Sequence, residues 1–329
     1  MDTFLQQLVN GLTAGSVYAV VALGYTMVYG IIQLINFAHG EVVMIGAMVA
    51  FTVINALAGG ALPPLAVVVI GMLCALPVCM LVGYAMERLA YRPLRRAPRL
   101  APLITAIGVS IILQHLAMLV WSRNILAFPQ IIEIRTFHFF GAASISSLQI
   151  AIIGICVAMM AGLALLVYRT PLGTAMRATA QNPQVAGLMG VDVNRVIAAT
   201  FVIGAALGAV AGVLFGTYYG IAQYTMGSIL GLKAFSAAVL GGIGNIPGAM
   251  LGGILLGLVE ALGAGYIGDL TDLCTYNWLA GLLGGHCADG GHFILFGSNY
   301  QDVFAFVVLI LVLVFRPQGL LGERVGDRA

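Results

Sequence analysis

Long stretches of apolar residues, near 5–30, 31–57, 64–86, 100–121, 147–168, 196–220, 229–243, 247–267 and 301–316, alternate with short polar connections along the chain. A helix needs about 20 apolar residues to cross a hydrocarbon layer about 30 Å thick, so most of these runs read as membrane spans. The run at 229–243 is short, has glycine at both ends and carries Lys233. It reads as a half-helix that enters the layer without crossing it. The pattern predicts an all-α polytopic membrane protein, one transmembrane domain over 1–329 with about eight or nine transmembrane helices. Two broken or half-helix segments are expected in duplicated halves.

One oily stretch carries an unexpected polar run, Asn36-Phe37-Ala38-His39-Gly40-Glu41. A carboxylate at the centre of a bilayer costs about 2.5 kcal/mol or more, so such a group faces protein or a water-filled path. A second interruption lies far downstream, Gly242-Ile243-Gly244-Asn245-Ile246-Pro247-Gly248. Aligning Gly46-Ala47-Met48 with Gly248-Ala249-Met250 also superposes Gly40 on Gly242. Paired, Gly/Pro-interrupted segments are a pointer to a duplicated transporter fold with its pathway at the repeat interface. The expected pathway residues are Asn36, Phe37, His39, Glu41, Lys233 and Asn245. Glycine spacing that merely lets helices pack closely is the simpler explanation of the glycines alone. Glu260 and His115 are expected to pair with neighbouring helices, and Glu87 to lie at the inner interface.

Composition agrees with the spans. Only 8% of the 329 residues are charged and 61% are hydrophobic, against about 25% charged in a soluble domain. The opening Met1-Asp2-Thr3-Phe4 has no basic n-region, so the first run is expected to stay as a span. Eleven of the fourteen basic residues fall in three places: Arg88, Arg92, Arg95, Arg96 and Arg99; Arg169, Arg177 and Arg195; and Arg316, Arg324 and Arg328. The positive-inside rule puts these on the cytoplasmic face, with the C-terminus inside and, if all runs cross, the N-terminus outside.

The segment 169–195 is too polar to span. It reads as short helices under the membrane, with Asn182-Pro183 as a helix start and Val185, Leu188, Met189 and Val191 as an apolar face. That face needs a partner or tucks against the protein's own helix ends. The segment of about 268–300 has no Lys or Arg and reads as an outer-face insertion. A Cys274–Cys287 disulfide there is compatible with an oxidising compartment; two free thiols and a His/Cys metal site are the alternatives, although the spacing matches no zinc pattern. Cys74, Cys79 and Cys156 read as small packing residues.

Several chemistries lack their residues. No phosphate-binding loop is present, and Gly231-Leu232-Lys233-Ala234 lacks its spacing and hydroxyl. Metalloprotease, serine-hydrolase and nucleic-acid-binding patterns are missing too, so neither a catalytic residue, a metal nor a cofactor is expected in this chain.

Taken together, Asn10-Gly11-Leu12-Thr13-Ala14-Gly15-Ser16, Gly24-Tyr25-Thr26-Met27-Val28-Tyr29-Gly30, Ile35 to Glu41, Glu87 to Arg95, Leu232 to Gly244 and Phe315-Arg316-Pro317-Gln318-Gly319-Leu320-Leu321-Gly322 resemble the smaller, LivH-type permease of branched-chain amino acid ABC importers. The departure is the region from about Asp272 to Phe296, richer and longer than expected for the family. The resemblance implies a bacterial inner-membrane subunit that pairs with a second permease, two cytoplasmic ATP-binding subunits and a periplasmic substrate-binding protein, with ATP bound by the partner ATPases. It also implies that Arg177, Asn182, Pro183, Val185, Leu188, Met189 and Gly190 form the region that docks on an ATPase. Alternatives are an amide or urea permease of the same family, and an autonomous secondary transporter or channel.

Overall fold

The computed structural model describes residues 2–271 and 300–322 except 61, 96, 99 and 140–142. Cys274, Cys287 and most of the 268–300 insertion lie outside the described residues. The chain forms α1 (Asp2–Ile32), α2 (His39–Leu57), α3 (Pro64–Ala85), α4 (Leu100–Val120), α5 (Ser147–Arg169), α6 (Pro171–Gln181), α7 (Pro183–Leu188), α8 (Val193–Tyr219), α9 (Met226–Gly241), α10 (Ile246–Leu270) and α11 (Gln301–Phe315). Four short strands, β1 (Leu126–Ala127), β2 (Thr136–Phe139), β3 (Ala143–Ser146) and β4 (Ile221–Ala222), pair as β1 with β4 and β2 with β3, both antiparallel. Among the described residues, seven helices are long and apolar enough to cross a membrane. α9 and α11 are shorter, at 16 and 15 residues; at 1.5 Å per residue α9 spans about 24 Å, less than a full hydrocarbon layer. The protein is an all-α polytopic membrane protein.

The helix ends follow from local chemistry. Ser146 caps α5 in a reciprocal capping box with Gln149, Thr170 caps α6 through Gly173, and Asp192 caps α8 through Asn194 and Arg195. These interactions satisfy amide groups that a helix start otherwise leaves unpaired. The boundary expected near residue 30 falls at Ile32, and residues 33–38 then leave the helix before α2 begins at His39. Gln33 takes a φ of 54° there, rare for a residue with a side chain.

α1 and α8 are the buried centre, and they run in opposite directions. The first turns of α1, at Gln7, Asn10 and Ala14, share a cavity with Tyr218 and Tyr219 at the end of α8, while the two helices cross at Gly24 and Gly204. α2 runs parallel to α8, with His39 and Val43 against Gly208 and Ala47 against Gly212. α2 therefore starts beside the middle of α8. α9 runs against α2, and its start meets the start of α2: Gly40 faces the backbone of Gly227 and Gly231, and Gly227 faces the backbone of Gly40.

The contact joins two positions that a single sequence offset also relates to their helix ends. One and the same offset in residue number relates Ile32 to Tyr219 at the ends of α1 and α8, His39 to Met226 at the starts of α2 and α9, and Gly40 to Gly227. Asn36-Phe37-Ala38-His39-Gly40 then corresponds to Gln223-Tyr224-Thr225-Met226-Gly227, an amide, an aromatic ring, a small residue, a bulky residue and glycine in each. α3 packs against α2 and α8 as α10 packs against α9 and α1. The helix ends and the Gly40–Gly227 contact match in a different register from the one expected for duplicated halves. The counterpart of the break at 33–38 is the segment 220–225, not Gly242–Gly248.

The interruption at Gly242–Asn245 is a tight turn at one end of the bundle. Gly242 and Gly244 take φ of 106° and 95°, a region open to glycine and strained for other residues. Here Leu320 and Leu321 donate backbone hydrogen bonds to Leu240 and Gly241. The Arg95 side chain reaches Asn194 at 2.7 Å, and Arg177 shares a cavity with Gly30 and Gly244. The three Arg-bearing segments thus converge on one end. β1 to β4 lie at the other.

Candidate functional site

The polar run expected on a pathway folds into a buried centre where α2 and α9 begin. Asn36, His39 and Glu41 are each no more than 3% exposed. The Tyr91 hydroxyl donates to Asn36 Oδ1 at 2.8 Å, and the Ser110 hydroxyl donates to Glu41 Oε1 at 3.1 Å. Glu41 sits in the first turn of α2, where the helix dipole favours a negative charge. Its Oε2 faces Gly227 of α9 and, among the described residues, has no hydrogen-bond partner, nor has His39 Nε2, which faces Gly24. The His39 ring stands edge-on to Tyr25 at 4.9 Å, and Phe37 packs on Phe235 at 5.5 Å. Below these rings, Tyr25, Tyr29, Ile35, Phe235, Ala238 and Ile243 enclose a cavity of about 10 Å³. Discontinuous helix starts that meet near mid-bundle are the arrangement by which duplicated transporters offer helix dipoles and free backbone groups to a charged solute.

Lys233 and Asn245 stand apart from this centre. Lys233 Nζ pairs with Glu260 Oε1 of α10 and Asp302 Oδ1 of α11, each at 2.7 Å, and lies 5.6 Å from the Tyr18 ring. The Tyr18 hydroxyl donates to the same Glu260 oxygen at 3.3 Å. Lys233 and Glu260, expected in different roles, are therefore one buried ion pair tying α9, α10, α11 and α1. Asn245 caps α10 through Gly248 and donates to the Leu321 carbonyl at 2.8 Å. His115 does not reach a neighbouring helix: it is exposed on α4 and its Nδ1 lies 2.9 Å from the Ile111 carbonyl of its own helix. Cys79 and Cys156 are buried packing residues as expected, whereas Cys74 is exposed.

At the Arg-rich end, Glu87 pairs with Arg95. Burial pulls the Arg95 guanidinium below its ordinary range while Glu87 pulls the other way; an arginine keeps its proton through either effect. α6 and α7 are two short helices here, joined at Asn182. Arg177 spends its guanidinium on the Val167 carbonyl at the end of α5 and lies over the Tyr168 ring at 5.8 Å, so it braces the segment from within. Asn182 caps α7, its Oδ1 accepting from the amides of Gln184 at 3.0 Å and Val185 at 3.1 Å, with Pro183 in the first turn. Val191 folds back on the core, but Val185, Leu188 and Met189 do not: Leu188 is 87% and Met189 81% exposed. Gly190 follows at φ 87° in open space. The sequence indicated an apolar face here; the fold leaves that face uncovered.

Comparison with known proteins bears on these features. The family profile described as branched-chain amino acid transport system / permease component matches residues 7–313. The chain is 47% identical to the high-affinity branched-chain amino acid transport system permease protein BraD of Pseudomonas aeruginosa, covering 97% of this chain and 96% of that one. It is 43% identical to the LivH permease protein of Escherichia coli K12 over the same shares, and 27% identical to a probable LivH of Methanocaldococcus jannaschii over 92% and 87%. No solved structure matches the chain. With the profile spanning nearly all of the sequence and the similarity running from α1 into α11, the chain belongs to the branched-chain amino acid transport permease family.

Proposed function

We propose that this chain is the translocation subunit of an ATP-driven importer in a bacterial inner membrane, moving branched-chain or similar hydrophobic amino acids. A periplasmic binding protein delivers the solute, a second permease completes the path, and two cytoplasmic ATPases supply the energy. The observation that carries this reading is the uncovered pair Leu188 and Met189 on a rigid cytoplasmic elbow. Large apolar side chains on an otherwise polar surface mark a docking site. The elbow is braced to the bundle: α6 packs on α1, α5 and α8, and Met176 and Arg177 border the cavity that touches Gly30 and Gly244. A push on α7 is thereby delivered to the turn between α9 and α10 and to the end of α1, next to the segment that leads into α2. The Arg-rich end faces the cytoplasm in this reading, with the C-terminus inside.

Its test is the double substitution Leu188→Asp, Met189→Asp. Each removes an exposed anchor and places a charge in the contact, worth about 2 kcal/mol or more per residue if the anchors are hot spots. The ATPase subunits are expected to be lost from pull-downs and uptake of radiolabelled leucine to fall to background, with membrane levels of the chain unchanged. Retained ATPases and uptake overturn the reading.

Glu41→Ala is expected to slow leucine uptake at least about tenfold, the scale of one charge-assisted hydrogen bond, while the assembled complex is recovered intact. Unchanged uptake removes Glu41 from the path. Because inverted repeats also build ion-coupled carriers, the purified chain alone in liposomes is the control: the importer reading expects no uptake, and solute accumulation there replaces it with the carrier reading.

A further inference from the structure

A second polar cavity lies at the end of the bundle opposite α6 and α7, with a volume of about 230 Å³. Gln7 and Asn10 of α1, Tyr218 and Tyr219 of α8, Glu260 of α10 and Gln301 of α11 line it. It is distinct from the centre at Asn36–Glu41 and from the elbow. Glu260 is 5% exposed, and among the described residues only one of its carboxylate oxygens is engaged: Oε1 accepts from Lys233 and Tyr18, while Oε2 has no hydrogen-bond partner there. A carboxylate oxygen buried without a donor is costly, and the Glu260 side chain that carries it lines this cavity.

The surrounding chemistry selects the donor. Lys233 is held between Glu260 and Asp302, so the three ionised groups sum to one negative charge. Among the described residues no Arg or Lys lines the cavity, and the amide oxygen of Asn10 is already taken by Gln6 and Gln149, at 3.3 Å and 3.1 Å. Two tyrosine rings at 5.0 Å, edge to face, form one wall, and aromatic faces attract cations. Ala14, Gly257, Ala261 and Ala264 supply an apolar floor. An anion would meet Glu260 head-on.

We propose that this cavity is a binding site for a primary ammonium group carried on a small apolar body, with the Glu260 carboxylate as its acceptor. Under the function proposed above it receives the α-ammonium end of the amino acid as it enters the permease. The inference rests on that reading for its role, but not for its chemistry.

The test uses the full-length chain in membrane vesicles, with the native cysteines replaced and Ala264→Cys introduced as a reporter for a membrane-impermeant thiol reagent. Leucine and 3-methylbutylamine are expected to slow labelling, and 4-methylpentanoate, which keeps the carboxylate and lacks the amine, to leave it unchanged. Glu260→Gln, in which Lys233 keeps Asp302 as partner, is expected to raise the concentration for half-protection about tenfold or more, as for a lost charge-assisted hydrogen bond. Tyr218→Leu, outside the ion pair, is expected to weaken amine protection several-fold, and Tyr218→Phe to restore it. Equal protection by 4-methylpentanoate, no protection by either amine, or protection indifferent to both Glu260→Gln and Tyr218→Leu overturns the site. Leucine uptake by cells carrying the full importer is measured alongside. Uptake without amine protection defeats this inference alone, whereas amine protection without leucine uptake defeats the transport reading and leaves the site standing.

Discussion

Lys233→Met is expected to destabilise the protein by about 3–5 kcal/mol, the usual result of leaving a buried charge without its partner. Glu260 is nearly inaccessible and receives its ionic partner from Lys233 alone among the described residues; the Tyr18 hydroxyl at 3.3 Å is a weak substitute. Asp302, whose side chain is 41% exposed, can turn to solvent and loses less. Removing both buried charges, as Lys233→Met with Glu260→Gln, is therefore expected to recover much of the loss, since an uncharged pair has no unpaired charge to bury. Thermal unfolding of the purified chain in detergent checks both. A double variant as unstable as the single one shows that packing by the lysine stem, and not the charge, holds α9 to α10.

Gly40→Val is expected to abolish the native packing of α2 against α9, at a cost at or above the roughly 1–3 kcal/mol of ordinary overpacking. A Cβ at residue 40 runs into the Gly227 carbonyl and the Gly231 backbone. These are main-chain atoms of a helix and cannot rotate away as a side chain would. Gly108→Val is the control, because a Cβ there meets nothing within 4 Å. The expected outcome is loss of folded protein and of leucine uptake for Gly40→Val and little change for Gly108→Val, read by size-exclusion profile and uptake. A well-folded Gly40→Val protein shows that α2 and α9 can separate at their crossing, and that the close approach is not required.

Much of the architecture was legible because hydrophobic length is a local property. A spanning helix satisfies its own backbone hydrogen bonds, so the apolar runs place α1, α3 to α5 and α8 to α11 to within a few residues, while α2 starts eight residues later than its run, at His39. The helix caps at Asn182 and Asn245 are local as well. The polar run Asn36–Glu41 announced itself by cost alone: buried amide, imidazole and carboxylate in oily sequence need protein around them, and all three are found buried.

Contacts between distant segments were decided by the tertiary fold. The matching triplets Gly46-Ala47-Met48 and Gly248-Ala249-Met250 suggested one register, whereas in the fold Gly40 meets Gly227, a contact that no local sequence match announces. Lys233 could be recognised as costly in lipid, but its partners are 27 and 69 positions away along the sequence, and only packing of α9 with α10 and α11 chooses Glu260 and Asp302 over solvent. Likewise, the apolar spacing of Val185, Leu188, Met189 and Val191 marked a face without saying which members the protein covers for itself. The folded chain buries part of Val191 and leaves Leu188 and Met189 bare. Period and composition act through neighbours in the chain, whereas the register of a repeat, the partner of a charge and the vacancy of a face are set by which helices lie side by side.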